Sequence, residues 1–147
     1  VSKRFADLNR AVPQQEKGVP LTSKAEDINT VVGHIRDLAQ SPNASDWHMA
    51  ILRADAALED LLRHMGYEGV TLADRLSIMD PHVMPSLDKV WSAHRLRNSI
   101  AHDPLQQHSK EIILAALSSY EAAFRELGYI RSQDQTNEPP DEIIRTT

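Results

Sequence analysis

Apolar residues in this chain return every three or four positions, in runs cut short by proline, glycine and asparagine. Ile28, Val31, Val32, Ile35 and Leu38 form one such run. Trp47, Ile51, Ala54, Leu58, Leu61, Leu62 and Met65 form a second, and Ile112, Ile113, Ala116, Leu117, Tyr120, Ala123, Phe124 and Leu127 a third. A period near 3.6 is that of a helix with one buried face, whereas a half-buried strand would alternate. Ser41-Pro42-Asn43, Gly66 and Gly128 stand where helices should stop. With 5 glycines and few β-branched runs, nothing favours a sheet. The expected fold is all-α: an up-and-down bundle of four long helices and one short one.

A chain of 147 residues suits a single domain. Its hydrophobic fraction of 41% is enough for one core, but aromatics at 5% leave Leu, Ile, Val and Ala to fill it. Ile35, Leu58, Leu62, Trp91, Ile100, Leu117 and Phe124 are the expected core. Ser23 opens the first helix in a capping box with Glu26. The second helix runs from about Ala44 to Met65, with Glu59, Asp60 and Arg63 on its solvated face. Thr71 caps a short helix reaching Met79, which lies across the bundle end, and Ser109 begins the last long helix.

The two ends read differently from the 23–130 domain. Residues 1–22 hold two basic residues, Lys3 and Arg4, and then the breaking stretch VPQQEKGVP. The basic pair would suit the cytoplasmic edge of a preceding membrane anchor, and an untidy domain boundary equally well. Residues 131–147 are polar and proline-bearing, with too little to bury, and read as a disordered tail. Ile143 and Ile144 within it have the form of a short docking motif, although stray apolar residues in a tail are commoner.

Composition removes several chemistries. There is no cysteine, so disulfides, thiolate zinc sites and thiol nucleophiles are absent together. The 7 histidines are dispersed without metal-ligand spacing, and no cofactor or metal is expected. No apolar run reaches the length of a membrane span, which makes a cytoplasmic protein the default, tethered to the inner membrane face if an anchor precedes Val1.

The informative stretch is Leu87 to Pro104, LDKVWSAHRLRNSIAHDP. On a helix, Leu87, Val90, Trp91 and Ala101 share one face, with Ala93 and Ile100 flanking it and Asp88, Ser92 and Ser99 opposite. Arg97 projects from near the middle of that stripe, with His94 and Asn98 beside it and His102 on its shoulder. A charged side chain on a core face is ordinarily paired or functional. The alternative is an arginine that snorkels to the stripe's edge. Asp103-Pro104 ends the helix, so His102 lies in its last turn or just beyond it, where the helix dipole favours a protonated imidazole.

Arg97-Asn98-Ser99-Ile100-Ala101-His102 is an R-x4-H pattern with a polar residue directly after the arginine. It follows a long helix carrying ADAALEDLLRHMGYEG and a short one carrying TLADRLSIM, and precedes one more long helix. In that order the chain resembles the HEPN superfamily from about Ser23 to Ile130. The resemblance implies a HEPN-like bundle in which this motif marks a metal-independent RNA-cleaving site, although many members are silent or regulatory. It assigns His102 to proton transfer and Arg97 to the charge on phosphate, with Asn98 holding the imidazole or the phosphate. On an ideal helix Arg97 and His102 lie about 140° apart. HEPN-like domains meet that separation by dimerising, so that two motif helices line one cleft.

Two functions follow. The first is a dimeric regulatory or interaction module in which the same Arg, Asn and His tie the bundle or its homodimer together, with a protein as partner. The alternative is an RNA endonuclease. A net charge of −5 and the lack of a basic tract outside residues 94–97 weigh against RNA. A third class, ligand binding at the bundle end, lacks any phosphate-cradling glycine loop.

Overall fold

The computed structural model describes residues 21–130, and among them are five helices and no strand. In chain order these are α1 (Leu21–Ala39), α2 (Ala44–His64), α3 (Leu72–Ser77), α4 (Leu87–His102) and α5 (Lys110–Glu126). Of the 1–22 segment read as a linker, residues 1–20 fall outside the described residues, as do residues 131–147, while Leu21 and Thr22 already belong to α1. No helix among the described residues is long and apolar enough to cross a membrane.

Helix α2 is the centre of the bundle, packing on each of the other four. Its inward stripe of Ala50, Ile51, Ala54, Leu58, Leu61 and Leu62 is buried, and the two alanines allow close approach. Ile28, Val32 and Ile35 of α1 meet it from one side, and Ile113, Tyr120 and Phe124 of α5 from another. Arg36 of α1 clasps Glu121 of α5 through two nitrogens, at 2.8 and 3.2 Å.

The helix ends follow local chemistry. Helix α2 stops at Met65 because Gly66 turns the chain at φ 95°. Thr71 caps α3 in a capping box with Asp74, and two backbone amides donate to the Asp74 carboxylate, which lowers its pKa. Ser109 caps α5 by accepting from the Ile112 amide. The start of α4 is held from a distance, since both the amide and the hydroxyl of Ser86 donate to Glu126 on α5.

Several sequence expectations shift. Helix α1 is already under way at Leu21, so Ser23 does not stand at its first position. Helix α3 closes at Ser77 rather than Met79. Trp91 is only half-buried and packs on the core from its rim, while Val90, Ala93, His94 and Ile100 take the inward positions. Ala101 is exposed, because the last turn of α4 runs past the core. Ile112 is exposed as well, at the first turn of α5, where Ile113 turns inward instead.

Arg75 supplies what the apolar pattern alone could not, a fixed seat for the short helix. It is 5% exposed, and its Nε and Nη2 donate to the Tyr67 and Gly69 carbonyls at 3.1 and 2.7 Å. Nη1 reaches Glu59 of α2 at 3.3 Å, so Glu59 belongs to this anchor rather than to a wholly solvated face. Asp60 and Arg63 do form a surface pair.

Candidate functional site

Asp55 sits on the inward stripe of α2, four residues after Ile51 and three before Leu58, and is 3% exposed. A carboxylate so placed must find donors, because an unpaired buried charge is strongly unfavourable. It finds them on two other helices. Tyr120 of α5 donates its hydroxyl to Oδ2 at 2.6 Å, and His94 Nδ1 of α4 lies 2.7 Å from the same oxygen. Burial first, and then the Asp55 charge, push the Tyr120 hydroxyl far above its ordinary pKa, so it stays a donor.

Arg97 completes the cluster. Its Nε faces Asp55 Oδ1 at 3.6 Å, an ion pair too long for a hydrogen bond, and that nitrogen is sealed from solvent without another partner. The side chain as a whole is 39% exposed, and Nη1 donates to the exposed Asn98 at 3.2 Å. The guanidinium is therefore anchored from beneath and opens outward. His94 and Arg97 are three residues apart and share a helix face. The Trp91 ring stands edge-on to the His94 ring at 6.3 Å.

Of the motif residues expected from sequence, Arg97 and Asn98 are brought together, whereas His102 is exposed at the end of α4 and is not part of the Asp55 cluster. Tyr120 reads in the sequence only as a core aromatic, and Asp55 goes unmarked there. The signal for Asp55 was its spacing from Ile51, Leu58 and Leu62, which puts an acid on the buried face.

A second pair of rings joins α2 to the segment before α5: His48 and His108 meet edge-on at 5.8 Å. Burial and the neighbouring His108 lower the His48 pKa. Lys110 sits 5.2 Å over the Trp47 ring, a cation–π contact that ties the start of α5 to α2. Among the described residues no group of three or more His, Cys, Asp or Glu side chains is arranged to hold a metal ion.

Fold and site together define an all-α bundle with a buried aspartate joining α2, α4 and α5 under a half-exposed arginine. Comparisons with protein families, curated proteins and solved structures give no match to this chain.

Proposed function

We propose that this is a HEPN-like helical domain whose motif helix α4 binds the phosphodiester of RNA and cleaves it without a metal ion. The observation that carries the reading is Arg97, held at Nε by buried Asp55 with its fork directed outward beside Asn98. A guanidinium fixed this way is preorganised for phosphate oxygens and for the charge that gathers on them in the transition state. His102, at the exposed end of the same helix, is available for proton transfer. A two-fold homodimer through the motif helix α4 would bring two such helices to one cleft.

The second reading is the dimeric interaction module, with a protein rather than RNA as partner. It is favoured by the net charge of −5 and by His94 and Arg97 both turning toward Asp55, as residues that tie a bundle together would.

Cleavage of single-stranded RNA in the presence of EDTA separates the two. The nuclease reading expects cleavage that falls about 10²- to 10⁴-fold in His102→Ala with helix content unchanged. Under the module reading wild-type protein cuts nothing, His102→Ala is silent, and Arg97→Ala lowers the melting temperature or splits the dimer.

A further inference from the structure

Asp55 does more than anchor Arg97. The bond from His94 Nδ1 to Asp55 Oδ2, at 2.7 Å, fixes the ring and its tautomer. With the proton on Nδ1 donated to the carboxylate, a neutral imidazole carries its lone pair on Nε2. The His94 side chain keeps 11% of its surface exposed. Among the described residues the sealed nitrogens without a hydrogen-bond partner are Arg97 Nε, His108 Nε2 and Arg125 Nε, and His94 Nε2 is not one of them. Nε2 of this largely buried ring is thus not fully sealed, and it lies one helical turn from the anchored guanidinium.

We infer that His94, rather than His102, is the proton acceptor of this site, taking the proton of a hydroxyl whose neighbouring phosphodiester is held by Arg97. The inference rests on the proposed RNA-cleaving reading and names its base. Three arrangements that a general base requires are present. An orienting carboxylate holds the far nitrogen, the near nitrogen is accessible, and an anion-binding group stands at i+3. His102 has the exposure but not the orienting partner. Asp55 and Tyr120 are positioning residues: Tyr120 occupies the carboxylate from the α5 side at 2.6 Å and keeps it aimed.

The step is balanced within RNA itself. Nε2 of His94 takes the ribose 2′-hydroxyl proton, and the 2′ oxygen bonds to phosphorus. The bond from phosphorus to the 5′ oxygen breaks, and that oxygen leaves with a proton from His102 or from water. The products are a 2′,3′-cyclic phosphate and a 5′-hydroxyl end. Among the described residues Asp55 bonds His94 directly, and Tyr120 and Arg97 meet the same carboxylate.

The test uses the full chain, single-stranded RNA and EDTA, with two substitutions. His94→Gln keeps a donor toward Asp55 but has no titrating nitrogen, and His94→Ala opens a space for free imidazole. The expected result is a loss of about 10²- to 10⁴-fold in His94→Gln at an unchanged melting temperature, with the acidic limb of the pH–rate profile flattened. Added imidazole should restore part of the rate of His94→Ala, which a merely structural histidine would not allow. If wild-type protein cleaves and folded His94→Gln cleaves equally well, the inference is overturned and the base is His102. Loss of activity with an unaltered pH profile and no rescue also overturns it, since it assigns His94 a structural role. Should His94→Ala fail to fold, the pH profile of His94→Gln decides alone. If wild-type protein cleaves no RNA, the proposed function itself fails and the inference with it.

Discussion

His94 Nδ1 and Tyr120 Oη meet on a single oxygen of Asp55, at 2.7 and 2.6 Å, so one carboxylate on α2 locks the rotation of both α4 and α5. Three helices thus share a buried polar joint inside an otherwise apolar core. Such a joint specifies which faces meet, because any other rotation strands a charge. It also makes the bundle's stability depend on pH in a way a purely apolar core would not.

Tyr120 sets that dependence. Its pKa is raised in the folded chain, so its contribution is complete below the ordinary tyrosine pKa of about 10 and is lost as pH rises above it. Denaturant midpoints measured from pH 9 to 11 should fall for wild-type protein, with a limiting slope of about 1.4 kcal/mol per pH unit from this group. Tyr120→Phe should flatten the fall. An equally steep fall in that variant would place the effect on other groups, such as Tyr67 and Tyr129, whose pKa values are also raised.

Arg75 should be the residue on which α3 depends most. Removing its side chain in Arg75→Ala leaves the Tyr67 and Gly69 carbonyls without their charged donor. Hydrogen bonds to charged groups are worth about 1.5–3 kcal/mol each, and the variant should lose stability of that order or more. Arg75→Lys should recover little, since an ammonium lacks the planar fork that spans two carbonyls. Hydrogen exchange localised to residues 66–79 is the measurement, and protection unchanged in Arg75→Ala would mean the apolar contacts of Leu72 and Leu76 seat α3 unaided.

Leu58 is 0% exposed at the centre of α2. Leu58→Ala should destabilise the fold by about 2–5 kcal/mol in chemical denaturation. A change under 1 kcal/mol would show that the core collapses readily around the cavity.

Self-association should run through the motif helix α4. Sedimentation at tens of micromolar, corresponding to about 6 kcal/mol of association free energy, should show a dimer. A monomeric wild type at that concentration would remove the two-helix cleft from the proposed function.

The sequence by itself determined the helices and most of what each one buries. Period, proline and glycine are local signals, so α2, α4 and α5 begin and end within a residue or two of where the pattern puts them, and Leu58, Leu62, Ile100, Leu117 and Phe124 are buried as their spacing implies. It also marked Arg97 as out of place on its stripe. What only the tertiary structure decided is which polar residues meet. Asp55 and Tyr120 lie 65 positions apart and Asp55 and His94 lie 39 apart, and no local pattern couples residues across such separations. The rotation of α4 followed from the same contacts: with His94 drawn inward to Asp55, Trp91 moves to the rim and Ala101 and His102 are left in solvent. Helix periodicity fixes which residues share a face to within a fraction of a turn, and a buried hydrogen bond, which tolerates only a few tenths of an ångström, fixes the remainder.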